Sequence, residues 1–189
     1  FMQQKKYDIM EHLPALFYST EGDSRYRYDF WSVLTERFVE NYTKRLYEWC
    51  DKNKLKLTGH FIIEDTLAGQ IQWGANMLHY QYEHIPGIDH LGRNINDVLT
   101  PKQASSAAHQ TGKPRVLSET YGGGGWNTTP LHQKWIADWQ FALGINFINQ
   151  HLFHYSLRGQ RKRDYPPSFF YHEPYWKHYK KIADYFARL

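Results

Sequence analysis

Residues 100–119 read TPKQASSAAHQTGKPRVLSE, and the order of signals in that stretch decides the fold class. Thr100 can cap a helix whose first position is Pro101, where a missing N–H costs nothing and φ is already helical. The helix runs to Gln110, and Gly112 stops it. Arg115-Val116-Leu117-Ser118-Glu119 then reads as a short strand that ends in a carboxylate. A helix feeding a short apolar strand is one step of an alternating α/β chain.

The same step recurs on both sides. Downstream, Thr120 leads into a flexible loop, Tyr121-Gly122-Gly123-Gly124-Gly125-Trp126. Thr129 and Pro130 open another helix, with Leu131, Trp135, Ile136, Trp139, Ala142 and Leu143 on one stripe. Gly144 ends it, and Ile145 to His151 reads as a strand. Residues 157–174 are a basic, proline-bearing loop, and a last helix carries Tyr175, Tyr179, Ile182, Ala183 and Phe186. Upstream, residues 83–89 (EHIPGID) read as a short extended segment interrupted by Pro86-Gly87. Residues 66–79 look helical, and LKLTGHFIIED at 55–65 reads as a strand through its Phe-Ile-Ile centre. Before it lies a long amphipathic helix capped by Asp29, with Phe30, Val33, Leu34, Phe38, Tyr42, Leu46 and Trp49 as its core-facing stripe. Residues 1–28 are irregular and tyrosine-rich.

Alternating helices and short apolar strands predict a parallel α/β architecture in one domain spanning 1–189. Three clear strands and one interrupted strand are about half of a (β/α)8 barrel, which takes ~250 residues. The expectation is therefore a partial barrel that needs a missing segment or a second chain. Phe1 precedes Met2, the pattern of a processed chain or a fragment.

Composition narrows the class. The hydrophobic fraction of 41% excludes wholesale disorder, and no apolar run is long enough to span a membrane. The balance of 23 basic against 19 acidic residues leaves +4, a mildly basic chain. Arg158, Arg161, Lys162 and Arg163 form a basic cluster, but no nucleic-acid recognition motif accompanies it. It reads as a solvated loop or as arginine held by Asp164. A single cysteine, Cys50, forbids an internal disulfide.

Strand alternation assigns faces. His60 and Glu64 share one face of 60–65, and Arg115, Leu117 and Glu119 share one face of 115–119. In parallel α/β folds ligands bind at the C-terminal ends of strands. Glu64 and Glu119 both sit at such ends, and paired carboxylates suit glycoside hydrolysis: one protonates the leaving oxygen, and the other attacks the sugar or activates water. Aromatic rings pack on the C–H faces of sugars. Trp126 and Tyr121 are accordingly expected to wall a subsite, with His60, Asp89, Asn149 and His151 binding hydroxyls. A metal reading would draw on His60, His84, His90 and Asp89, without any HExxH or Cys/His spacing. The tetraglycine lacks the Lys-Ser/Thr of a phosphate loop. A non-catalytic carbohydrate-binding fragment and a metal-dependent hydrolase stand as alternatives to a glycosidase.

Four segments carry a resemblance: LTGHFIIEDTLAGQ, HYQYEHIPGIDHLGR, KQASSAAHQTGKPRVLSETYG and DWQFALGINFINQHLFHYSLRGQRKRDYPPSFFY. Together they resemble glycoside hydrolases of the α-L-rhamnosidase type, family 106. The resemblance covers most of residues 28–189. It implies that the chain is the C-terminal part of a catalytic barrel in a longer parent, acting on a carbohydrate substrate in a periplasmic or secreted setting. It implies Glu64 as the strand-end acid and Glu119 as the second carboxylate, acting as base or nucleophile. Family members are inverting and linked to calcium, and no other cofactor is implied. Ile63 stands before Glu64 where many retaining barrels carry asparagine.

Overall fold

A computed structural model describes residues 1–19, 22–167 and 169–189. The described elements follow in the order α1 (Met2–Lys5), a 3-10 helix (Ile9–Leu16), α2 (Asp23–Phe38), a π turn (Val39–Thr43), α3 (Lys44–Lys52), a 3-10 turn (Gly69–Gln72) and α4 (Asn76–Tyr80). Then come β1 (Gly87–His90), α5 (Leu99–Gln110), β2 (Leu117–Thr120), α6 (Pro130–Ala142) and β3 (Phe147–Gln150). Two 3-10 turns (Gly159–Arg163 and Trp176–His178) lead to α7 (Tyr179–Arg188).

The sheet is parallel, with strand order β1-β2-β3. It is an open sheet, and the described residues do not close it into a barrel. Parallel neighbours need crossover connections, which α5 and α6 supply. One face is buried: Ile88, Ser118 and Thr120 are inaccessible and His90 nearly so. Ala104, Ala107 and Ala108 of α5 join the same core with Val116 and Ile145. Small side chains let α5 approach closely, and Ser105 Oγ donates to the Leu143 carbonyl at the end of α6. The opposite face of the sheet is partly open.

The α5–β2–α6–β3 order agrees with the sequence reading. At α6 the agreement reaches the cap: Thr129 Oγ1 accepts from His132 N, with Pro130 opening the helix. At α5 the capping group is one turn earlier than expected, because Asp97 Oδ1 accepts the Thr100 N–H and the helix begins at Leu99.

Three expectations are corrected. Residues 55–65 form no ladder strand. They run beside the entry to β1 through an isolated parallel bridge, Thr58 to Ile85. Ile63 then takes φ 56°, a conformation that turns a β-branched residue out of any extended run. The long helix begins at Asp23 rather than Asp29, and its expected stripe is buried only in part, at Val33 and, half-buried, at Phe30 and Phe38. Val33, Val39 and Thr43 are buried, whereas Leu34, Tyr42, Leu46 and Trp49 are 40–58% exposed. The π turn adds one residue to a helical turn and rotates everything after it by about 100°. Trp135, placed on the core stripe of α6, is 45% exposed.

Candidate active site

Register places the site. Asp89, Glu119 and Asn149 are partners across β1, β2 and β3. All three lie on the partly open face, near the C-terminal ends of their strands. Adjacent strands are about 4.8 Å apart, so Asp89 and Glu119 stand side by side. Burial and the neighbouring Glu119 charge raise the Asp89 pKa, while His60 and His151 oppose the rise. Charges on three other segments thus act on Asp89, and His60 walls the same cleft as Asp89. His151, just past β3, brings Nε2 to 3.9 Å from Glu119 Oε1.

Glu64 enters the group from beneath. It is 4% exposed. Its Oε1 accepts from Phe61 N at 2.8 Å and from the Tyr80 hydroxyl at 2.9 Å. Its Oε2 accepts from Asp89 N at 3.2 Å. Its own carbonyl receives the side-chain amides of Gln70 and Gln103. Burial dominates the three donors and pushes the Glu64 carboxyl up to about 7. The strand end at which the sequence reading placed Glu64 does not form: side-chain hydrogen bonds hold the residue, and it is buried while His60, expected on the same face, is exposed. A cleft of about 380 Å³ is walled by His60, Glu64, Asp89, His90 and Asn94, among others.

A second buried acid repeats the arrangement. Glu83 Oε2 accepts from Gly87 N at 3.2 Å, and burial raises its pKa to about 8. Gly87 and Asp89 lie two apart, so both N–H groups project from the same edge of β1. Two carboxylates thus occupy the edge where a neighbouring strand would otherwise bond. Glu83 and Tyr80 were not foreseen as members of this group. Their available sequence signals were an acid just before the Pro86-Gly87 break and a tyrosine sixteen positions after Glu64.

The expected binding residues divide. His60 and Asn149 are exposed at the site, and Trp126 is 41% exposed, its ring 6.1 Å from that of His154. His154 is buried with neither ring nitrogen partnered. Tyr121 does not wall a subsite. It is fully buried against Ile136 and Phe169, and its hydroxyl donates to the Gln133 carbonyl. Its φ of 80° turns the chain as β2 ends, and the ring packs into this core.

The metal set also disperses. His84 stacks on Tyr47 and accepts from Leu57 N, and His90 bonds the Asn94 carbonyl beside Trp139. Among the described residues no three His, Cys, Asp or Glu side chains converge as metal ligands. Calcium takes six to eight oxygens. Asp89, Glu119 and Asn149 offer oxygen in one row, but they do not make that shell by themselves, so this chain does not fit a self-contained calcium site. Among the described residues no helix is long and apolar enough to cross a membrane.

No protein-family model matches the chain, and no curated protein matches it. Among solved structures it is similar to a rhamnosidase from Novosphingobium sp. PP1Y, with a TM-score of 0.77 at 22% identity. The match covers 99% of this chain and 19% of that one, so the chain spans about a fifth of the rhamnosidase's length. The likeness is one of fold: this parallel α/β arrangement also occurs inside a much larger protein.

Proposed function

We propose that the chain forms part of the catalytic centre of a glycoside hydrolase, with an α-L-rhamnosidic bond the favoured target. The observation that carries this reading is the row of Asp89, Glu119 and Asn149 on the open face, with buried Glu64 bonded to the Asp89 backbone. The fold likeness to a rhamnosidase supports the substrate class. On this reading the open face is the inner face of a (β/α)8 barrel, with further strands beside β3.

Glu64 is the general acid. With its pKa near 7 it is about half protonated at neutral pH, as a proton donor to a leaving oxygen must be. Oε1 already accepts two donors and Oε2 only one, so the proton belongs on Oε2, the oxygen that also meets the Asp89 N–H. Glu119 is the base or nucleophile. His151 beside it, with His60, Asp89 and Asn149, binds sugar hydroxyls, and Trp126 packs on a sugar face.

A second reading gives the acid role to Asp89, because it is the direct register partner of Glu119. Hydrolysis of aryl and natural rhamnosides by the natural-length protein separates the two. Glu64→Gln that loses natural substrates but spares those with a good leaving group supports Glu64 as acid. The same pattern in Asp89→Asn assigns Asp89 instead. Normal turnover in Glu64→Gln, Asp89→Asn and Glu119→Gln alike removes all three carboxyls from the chemistry, and no hydrolysis by the unsubstituted protein refutes the glycosidase reading and leaves a non-catalytic carbohydrate-binding role.

A further inference from the structure

We propose that the loops at the C-terminal end of the sheet recognise an anionic carbohydrate, one bearing uronate carboxylates or sulfate esters, through Arg93 and the basic turn at 158–163. This deepens the proposed function and rests on it. Arg158, Arg161, Lys162 and Arg163 are exposed. Among the described residues, none of them has a carboxylate within ion-pair distance, Asp164 included. Among the described residues, the only side-chain acceptor for these four cationic groups is Gln160 Oε1, 3.5 Å from Arg163 Nη1.

The turn is held against the site rather than away from it. The residues that follow it bond the tetraglycine loop: Gly123 N donates to the Tyr165 carbonyl at 3.2 Å and Gly125 N to the Pro166 carbonyl at 2.9 Å. Tyr165 also meets the His151 ring edge-on at 6.2 Å. The loop after β1 joins the same glycines, with Gly92 N donating to the Gly122 carbonyl and the Arg93 stem packed beside Gly124. Arg93, too, has no carboxylate partner among the described residues. Cations from the loops after β1 and β3 are therefore tied to the loop after β2, which leads to Trp126.

Planar guanidinium groups match carboxylate and sulfate oxygens with paired hydrogen bonds. Asp89 and Glu119 would repel an anion at the reaction centre. The charged unit of the substrate accordingly belongs one subsite away, over the basic turn, where exposed Tyr165 offers a ring to a sugar face.

The test is calorimetric binding to the natural-length protein with two matched pairs: hexagalacturonate against its methyl ester, and a sulfated galactan hexasaccharide against its desulfated form. At low salt the charged member of at least one pair should bind about tenfold tighter, the equivalent of one charge-assisted hydrogen bond. The gap should close at about 1 M salt, where the Debye length is about 3 Å. The pair with the wider gap identifies the anion. Replacing Arg158, Arg161, Lys162 and Arg163 together by glutamine should erase the gap without changing the melting temperature. Equal affinities within both pairs overturn the inference. So does a folded quadruple variant that keeps the gap, or tighter binding of a single-stranded oligonucleotide of equal charge. Hydrolysis of neutral glycosides without a gap keeps the proposed function and defeats this inference. A gap without hydrolysis of any glycoside does the reverse.

Discussion

The Glu64 carboxylate accepts the backbone N–H of Asp89 at 3.2 Å, so an acid withdrawn from water holds the strand that presents a partly exposed one. The two carboxyls differ in environment and therefore in proton affinity. A division of labour between acid and base requires that difference.

The first prediction concerns pH and stability. Burial raises Glu64 to about 7 and Glu83 to about 8, both from an ordinary 4.5. A raised folded-state pKa means the fold favours the protonated form. The stability it contributes is full below about 4.5 and is lost as pH rises through 7 to 8. For Glu64 the shift corresponds to about 3 kcal/mol. The melting temperature should fall between pH 5 and 8. Glu64→Gln, neutral throughout, should flatten part of that fall. Identical pH profiles for wild type and Glu64→Gln would contradict the burial argument.

The second prediction concerns the coupling at Asp89. Removing the neighbouring negative charge with Glu119→Gln should lower the Asp89 pKa, and removing positive charge with His60→Ala or His151→Ala should raise it. Carboxyl carbon chemical shifts followed through a pH titration read this directly. No movement in any variant would mean that these groups do not share one site.

The third prediction concerns turnover. General acid–base groups contribute roughly 10²–10⁴-fold, so Glu119→Gln should lower kcat by that range while the melting temperature moves little. The Glu119 side chain is about a third exposed, and its loss leaves no buried donor unpaired. A variant with near-normal kcat on natural substrate would remove Glu119 from the chemistry.

The fourth prediction concerns the edge of β1. A methyl group at Gly87 would lie 2.1 Å from the Gly59 carbonyl oxygen, a backbone atom that cannot swing aside. Gly87→Ala should cost about 1–3 kcal/mol by forcing the 55–65 segment away from β1. Because that segment carries Glu64, the Asp89 pKa should shift as well. Chemical denaturation checks the first effect and the same titration the second.

The alternation of helix and short strand was legible in the sequence because its signals are local. Thr129-Pro130 caps α6, Gly112 and Gly144 end helices, and short apolar runs mark β2 and β3. Local signals also brought Asp89, Glu119 and Asn149 to strand ends. Tertiary structure decided what periodicity cannot carry. The π turn rotated the α2–α3 stripe, and the left-handed turn at Ile63 cut short the expected first strand. Tyr121 went to the core through a hydrogen bond to Gln133. Glu64 acquired its raised proton affinity from burial, against the opposing donors Tyr80 and Asp89, sixteen and twenty-five residues away. A carboxyl's chemistry depends on which donors reach it and how much water remains. Those are properties of packed neighbours distant along the chain, and residue order alone does not specify them.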